Sequence, residues 1–305
     1  MTPDDYTNQE FHLEVGDGHK LYVHDWGNPK AKTTILFLHG GPGSNVKDKY
    51  KMVFDPRKQR IIFFDQRGCG KSIPKSTLKD NNTDKLVEDI NKILDHLELD
   101  SVLIHGGSWG SCLALTYAIR YPKKVQSMVL HGIFTGTKDE INWLDEGRFK
   151  TFFPDVWQTY LDSTPESHRN NSSQYHFKRI MEGTAEEQKE SAYIYGNLEA
   201  GVMKLDDRYQ PEPFNNFEPA GMQIEMTYMA NHCFLPDQYI LKHASQLKMP
   251  VYLVQGRYDA ACPPETAYKL SLELPNSHLI WTTSGHHASR ESWNVMRQLM
   301  LMLSK

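Results

Sequence analysis

Residues 101–110 read SVLIHGGSWG, a short apolar run that ends in two glycines and a serine. The apolar run is typical of a buried strand, and the segment that follows, residues 109–120, is predicted to be a helix. A G-x-S-x-G pattern between a strand and a helix is typical of a nucleophile elbow, a tight turn that lifts the serine oxygen clear of the sheet. We therefore predict that Ser108 is a nucleophile. The backbone N–H of Trp109, at the start of the helix, would stabilise a developing oxyanion.

Further apolar runs on both sides of this stretch indicate the fold class. The predicted strands are residues 34–38, 60–64, 101–105, 125–130, 251–254 and 278–281. Runs that are apolar on both faces are typical of parallel strands covered by helices on both sides. The predicted helices are residues 83–97, with Thr83 as N-cap, 109–120, 265–274 and 289–303. This alternation predicts a mostly parallel, doubly wound α/β sheet.

Two segments depart from the alternation. Residues 11–15 and 20–24 flank Asp17-Gly18, which predicts an antiparallel hairpin. Residues 133–246 are rich in aromatic side chains and contain no clear strand pattern, so they predict a mainly helical insertion. Such an insertion would form a cap over the carboxyl ends of the strands, where α/β sheets bind ligands. We therefore predict a core domain of residues 1–132 and 247–305 and a cap domain of residues 133–246.

A serine nucleophile needs a base and a group that orients the base. In a fold with a nucleophile elbow these follow the serine in the order acid, then histidine. Asp259 comes just after the predicted strand 251–254, and His286 comes just after the last strand. His287 is the competing base, but the glycine before His286 favours His286 because it lets the loop approach the serine. We predict a triad of Ser108, Asp259 and His286.

The second oxyanion donor should lie on the loop after an earlier strand. Residues 39–43, HGGPG, occupy that place, and their small side chains let the backbone approach a substrate. The backbone N–H of Gly41 is the candidate, and His39 is predicted to brace the loop. A triad with this oxyanion hole needs no metal ion and no organic cofactor.

The composition of the 305 residues excludes several classes of protein. The formal net charge of −4 is too weak and too mixed for a nucleic-acid partner or a polybasic membrane anchor. No apolar run approaches the ~20 residues that span a bilayer, and the first residues do not resemble a secretory signal. The four cysteines lack metal-ligand spacing and are predicted to be free thiols in a reducing compartment. These features predict a cytoplasmic protein, and they leave the oligomeric state open.

Several motifs together resemble one family, the proline iminopeptidases, which are α/β-hydrolases. The motifs are HGGPG at 39–43, DQRGCGKS at 65–72, GGSWGS at 106–111 and GRYD at 256–259 with Cys262-Pro263 after it. They occur in the family's order over nearly the whole chain. The resemblance implies the α/β-hydrolase fold and the release of N-terminal proline from a peptide substrate with a free N-terminus.

The family holds the free amine of its substrate with glutamates of the cap. Glu199 is similar to the glutamate of the family's W-x-x-W-E segment, and Glu225 to that of its R-I-E segment. The resemblance therefore implies that these two carboxylates bind the amine. The chain departs from the family's pattern at Tyr195 and Leu198, which replace the two tryptophans, and at His287, which replaces the serine of G-H-S.

Two other functions remain open from the residues. A carboxylesterase or amidase would use the same triad with a different cap pocket and would not need a free amine. A non-catalytic receptor would keep the fold without the chemistry. Retention of Ser108, Asp259 and His286 in the expected order argues against a receptor.

Overall fold

The computed structural model describes residues 6–205, 210–211 and 213–305. Its sheet has eight strands in the spatial order β1-β2-β4-β3-β5-β6-β7-β8. They are β1 (Thr7–Gly16), β2 (His19–Gly27), β3 (Thr34–Leu38), β4 (Arg60–Phe64), β5 (Val102–Ser108), β6 (Val125–Ile133), β7 (Val251–Gly256) and β8 (Ser277–Thr282). β2 is antiparallel to β1 and β4, and all other neighbours are parallel. The predicted fold class is confirmed.

The first two strands form the predicted hairpin. Gly16 pairs with His19, and the turn residues Asp17 and Gly18 have φ angles of +57° and +80°. Positive φ at both central positions is the reason that Asp-Gly is favoured in such turns. The hairpin prediction is therefore confirmed.

Four helices cover the two faces of the sheet: α1 (Thr83–His96), α2 (Trp109–Arg120), α9 (Pro264–Glu273) and α10 (Arg290–Leu303). Neighbouring residues of β5 bury their side chains on opposite faces. Ile104 packs in the cluster that contains α1 and α2, and Leu103 packs in the cluster that contains Met296 of α10. Both faces of the strand are thus apolar, as its uninterrupted hydrophobic pattern requires.

The helix prediction was wrong about one cap. Asn82, not Thr83, is the N-cap of α1, because the Asn82 side chain accepts a hydrogen bond of 3.0 Å from the backbone N–H of Lys85. Thr83 is the first residue of the helix, and its hydroxyl donates to the carbonyl of Cys233 in the insertion. Both residue types can cap a helix, so only the tertiary contact of Thr83 distinguishes them.

The insertion after β6 is helical. Its helices are α3 (Lys138–Asp145), α4 (Pro154–Asp162), α5 (Ser172–Glu182), α6 (Ala185–Val202), α7 (Ala220–Ala230) and α8 (Tyr239–His243), and no strand occurs in the described residues from 134 to 250. They have their own apolar cluster, which contains Phe149, Tyr160 and Tyr195. The stated domain boundaries stay a prediction.

The cap contacts the loops at the carboxyl ends of the strands. The backbone N–H of His287 donates to the carbonyl of Met203, just after α6, at 2.8 Å. Gly43, on the loop after β3, lies so close to α7 that a Cβ at Gly43 would be 2.2 Å from the carbonyl oxygen of Gly221. These contacts place α6 and α7 over the end of the sheet where Ser108 lies.

Candidate functional site

The turn between β5 and α2 holds Ser108 in a strained backbone conformation. Its φ and ψ are +56° and −128°, which a side-chain-bearing residue rarely adopts. The turn is tight because two glycines allow it. A Cβ at Gly106 would lie 2.4 Å from the carbonyl oxygen of Gly110, and a Cβ at Gly110 would lie 2.2 Å from that of Leu38. Strain of this kind, on the turn predicted to be an elbow, is a feature of functional positions.

Asp259 and His286 are joined directly by hydrogen bonds. Nδ1 of His286 lies 2.9 Å from Oδ2 and 3.2 Å from Oδ1 of Asp259. Both side chains are buried. With Nδ1 turned to the carboxylate, Nε2 remains for a reacting group, which is the orientation that a general base needs. Gly132 makes room for the ring, because a Cβ there would be 3.0 Å from Cε1 of His286.

The carboxylate of Asp259 is fixed by three further donors. Its Oδ1 accepts hydrogen bonds from the backbone N–H groups of Ala261 (3.0 Å) and Cys262 (2.8 Å). Its Oδ2 accepts one from the side-chain amide of Gln255 (3.1 Å). Gln255 is itself held, since its oxygen accepts from the backbone N–H of Ile133 at 2.8 Å. This network leaves Asp259 little freedom to turn away from His286.

The electrostatics of the two neighbouring histidines differ. Burial lowers the pKa of His286, but the charges and hydrogen bonds of Asp259 and Cys262 together raise it, so that the pKa lies well above the ordinary value. Burial and the charge of His286 lower the pKa of His287 to about 4. The hydrogen bonds of Asp259 go to His286 and not to His287. The geometry therefore favours His286 as the base over its competitor.

The loop after β3 approaches the elbow at Gly40, where an added Cβ would lie 3.4 Å from Cβ of Ser108, and it then turns sharply at Gly41. Its φ is +112°, and a Cβ there would lie 2.7 Å from the backbone nitrogens of Gly43 and Ser44, so only glycine fits. His39 braces this loop as predicted. Its Nε2 accepts a hydrogen bond from the Gln66 backbone (3.0 Å), and its carbonyl accepts one from the Gln66 side chain (2.9 Å).

Gln66 also fixes the residue after the nucleophile. Its side-chain oxygen accepts a hydrogen bond of 2.8 Å from the indole N–H of Trp109. Gln66 thus connects the loop that contains Gly41 to the start of α2 by hydrogen bonds. The sequence contained a signal for this role in the motif at 65–72, but the partners of Gln66 are evident only in three dimensions.

Two other residues of that motif, Asp65 and Arg67, make hydrogen bonds to neighbouring loops and to α1. Arg67 is fully buried and makes two hydrogen bonds, of 2.7 and 2.8 Å, to the carboxylate of Asp89 in α1. The carboxylate of Asp65 accepts hydrogen bonds from the backbone N–H groups of Val46 and Lys71, each at 2.8 Å. These contacts hold the loops in place.

A small cavity of about 70 Å³ brings the predicted site residues together under the cap. Gly41, Ser108, Glu199, Glu225 and His286 all line it. Its remaining wall is mostly apolar and includes Phe134, Ile141, Leu144, Tyr195, Met203 and Met229. Trp109 does not line the cavity with its side chain. The residue contributes its position at the first turn of α2, beside Ser108.

Glu199 of α6 and Glu225 of α7 form a partly buried carboxyl pair that lines this cavity. Their side chains hydrogen bond to each other, which requires a proton between them. Burial raises the pKa of Glu225 to about 7. Burial and the charge of Glu225 raise the pKa of Glu199 well above its ordinary value. As the pH rises through neutral, the pair therefore gains one negative charge in the cavity that contains Ser108.

Sequence reasoning missed two residues at this site. Gln255, near the end of β7, orients Asp259 by a hydrogen bond, and no sequence motif indicated this role. Tyr195, noted only as a departure from the family's pattern, donates a hydrogen bond of 2.7 Å to Asp145 and forms part of the cavity wall.

Residues 33–291 match the family model described as the alpha/beta hydrolase fold. This match and the sheet topology define the class of the protein as an α/β hydrolase. The "Probable proline iminopeptidase" of Leptolyngbya boryana is 36% identical over 285 residues, which cover 92% of this chain and 88% of the relative. The "Proline iminopeptidase" of Arabidopsis thaliana is 38% identical over 293 residues, which cover 91% of this chain and 74% of the relative. The chain belongs to the α/β hydrolases and, within them, to the proline iminopeptidase family.

Solved structures agree at the level of the fold. The crystal structure of a proline iminopeptidase from Mycobacterium smegmatis superposes with a TM-score of 0.62 at 17% identity, over 97% of this chain and 99% of that chain. Within the described residues, no helix is long and apolar enough to cross a membrane. The same part of the chain contains no group of three or more His, Cys, Asp or Glu side chains that could hold a metal ion.

Proposed function

We propose that the protein is a serine aminopeptidase that releases N-terminal proline from peptides. The observation that carries the proposal is the cavity that Ser108 and His286 line together with Glu199 and Glu225. A nucleophile beside a buried negative charge suits a substrate whose cationic amine is close to the bond that is cleaved. The names of the relatives agree with this substrate class.

In the first step, the hydroxyl oxygen of Ser108 attacks the carbonyl carbon of the N-terminal proline, and Nε2 of His286 takes the hydroxyl proton. The backbone N–H groups of Gly41 and Trp109 stabilise the oxyanion. His286 then gives its proton to the nitrogen of the leaving peptide, the C–N bond breaks, and a prolyl ester of Ser108 remains. Asp259 orients the ring and stabilises its positive charge in both transfers.

In the second step, water attacks the ester carbonyl while His286 takes one of its protons. The C–O bond to Ser108 breaks, His286 returns the proton to the serine oxygen, and free proline leaves. None of these steps needs a metal ion or an organic cofactor.

The carboxyl pair of Glu199 and Glu225 binds the secondary amine of the proline. One shared negative charge in a buried site attracts the cationic amine strongly, because little water screens the pair. The apolar side chains of Phe134, Leu144 and Met229 complete a pocket for the pyrrolidine ring.

The test is a panel of chromogenic amides of proline, alanine and N-blocked proline. We expect the free proline amide to be cleaved fastest and the blocked amide not to be cleaved. Equal turnover of the blocked substrate would contradict the amine site and favour the alternative, a carboxylesterase or amidase of the same fold. A matched ester without an amine distinguishes these two outcomes.

Ser108→Ala should lower kcat on the proline amide by roughly 10³-fold or more, since no nucleophile remains to form the ester. Labelling by a serine-directed phosphonate should disappear with it. Ser163→Ala, at an exposed serine of the cap, is the control and should keep normal turnover. Near-normal activity of Ser108→Ala would exclude the acyl-enzyme mechanism.

The cytoplasmic location stays a prediction. It is supported by the four cysteines, which are all buried free thiols as expected for a protein of a reducing compartment. The substrate is proposed to be the protein's partner in the cell, with no nucleic acid or membrane required.

A further inference from the structure

A second cavity, of about 530 Å³, meets the first at Ser108. Gly41, Ser108, Glu199, Glu225 and His286 line both cavities. The second cavity also extends along the loop after β3, where it is lined by Ser44, Lys47 and Tyr50, none of which lines the first. A peptide with its N-terminal proline in the first cavity therefore places its leaving group in the second.

Three lysines line the second cavity: Lys47 and Lys49 from the loop after β3, and Lys204 from the cap. The acidic residue between the first two, Asp48, is paired with Lys51 at 2.9 Å. Neither Lys47 nor Lys49 makes an ion pair with a carboxylate of the described residues. Burial and the charges of the other two lysines lower the pKa of Lys49. Like charges that converge in a cleft create a positive potential that attracts anions.

His131 adds an unused polar group to the same cavity. Its Nε2 is buried and has no hydrogen-bond partner among the described residues. Burial and the charge of His286 lower the pKa of His131 to about 3, so its ring is neutral at physiological pH. A buried polar atom without a partner costs free energy, which a bound peptide group would recover.

The joined cavities thus have carboxyl groups where they meet, at Ser108, and three lysines in the second cavity only. A short peptide has the complementary pattern, a cationic amine and a terminal carboxylate on either side of the bond that is cleaved. Leaving groups of one or two residues extend only ~3.5 to ~7 Å, which keeps the carboxylate inside a cleft of this size.

We propose that Lys47 and Lys49, with Lys204, bind the C-terminal carboxylate of the substrate, which makes the enzyme selective for di- and tripeptides with a free C-terminus. The inference rests on the proposed function and adds a second charged anchor to it. His131 donates to or accepts from the backbone of the leaving group.

The experiment compares the dipeptide Pro-Ala with its carboxamide, Pro-Ala-NH₂, as substrates of the full chain at low ionic strength. These two substrates differ only in the terminal charge. The quantity measured is the ratio of kcat/KM for the acid over that for the amide. In the double variant Lys47→Ala/Lys49→Ala we expect this ratio to fall roughly fivefold or more from its wild-type value. Added salt should lower the wild-type ratio in the same direction.

Lys30→Ala is the matched control, because Lys30 is an exposed lysine that lines neither cavity. It should keep the wild-type ratio. An unchanged ratio in the double variant would overturn the inference. An equal fall of kcat/KM on both substrates would also overturn it, since that is the effect of a purely structural role. If no free-amine proline compound is cleaved, not even the chromogenic proline amide, the proposed function itself fails, and the two failures are thereby distinguished.

Discussion

Glu225 is a partly buried acid that is hydrogen bonded to its neighbour Glu199. Burial raises its pKa to about 7 from an ordinary value of 4.5. Between these two pH values the folded protein holds a proton that the unfolded chain has released, so stability falls as the pH rises. The wild-type protein therefore keeps a destabilised carboxyl pair, and the proposed binding of an amine explains why such a pair is present.

Replacement of this acid should stabilise the protein in a pH-dependent way. Glu225→Gln removes the titration, so its Tm should exceed that of the wild type by more at pH 8 than at pH 5, with a difference of roughly 3 °C or more. Hydrolysis of the free proline amide should fall at the same time. Thermal melts at the two pH values measure the effect, with Glu218→Gln, at an exposed glutamate, as control. The same Tm difference at both pH values would contradict the raised pKa.

At the scale of elements, the turn from β5 to α2 depends on backbone contacts that no side chain can replace. A Cβ at Gly110 would lie 2.2 Å from the carbonyl oxygen of Leu38, at the end of β3, and 3.0 Å from that of His39. Neither backbone group can move without a shift of β3 against β5. A Cβ at Gly107 would lie 3.4 Å from its nearest neighbour, the carbonyl oxygen of His131, which is ordinary contact. The two glycines of one motif thus have different structural roles.

Gly110→Ala should therefore lower the free energy of unfolding by about 3 kcal/mol. Gly107→Ala is the matched control in the same turn and should lower it much less. Urea denaturation of both variants measures the difference. Equal stability of the two variants would show that the approach of α2 to β3 is more adaptable than the distances indicate.

Helix α7 shows why the cap was harder to predict than the sheet. Its buried side chains, Met222, Ile224, Met226 and Tyr228, fall at every second position and so point to different sides of the helix. A single apolar face, which is the usual sequence signal of a helix, is absent. Sequence periodicity predicted a helical insertion as a whole, but it could not predict which side of α7 contains Glu225.

At the scale of the whole molecule, all four cysteines are enclosed by the fold. Cys69, Cys112, Cys233 and Cys262 are at most 6% exposed. Burial raises the pKa of Cys69 to about 12 and that of Cys262 to about 11, and it raises that of Cys112 well above its ordinary value. Thiols that are both buried and protonated are poor nucleophiles.

The native protein should therefore resist alkylation by iodoacetamide at pH 7.5. In guanidinium chloride, where the chain is unfolded, all four thiols should react, and this is the internal control. Intact-mass spectrometry counts the modified cysteines in each case. Rapid and complete labelling in native buffer would mean that the molecule opens far more often than its packing indicates.

Local sequence patterns were enough to predict the sheet, the elbow and the order of Ser108, Asp259 and His286. These features depend on neighbours in the chain: apolar runs, glycines in a tight turn, and loops at strand ends. Only the packing of the folded chain shows that Asp259 hydrogen bonds to His286 and not to His287, and that Glu199 and Glu225 line one cavity. It also brings Lys47 and Lys49 to the second cavity, which Ser108 lines as well. Such contacts depend on how helices and loops that are distant in sequence pack together. The packing energy is spread over many contacts, so no local sequence pattern encodes it.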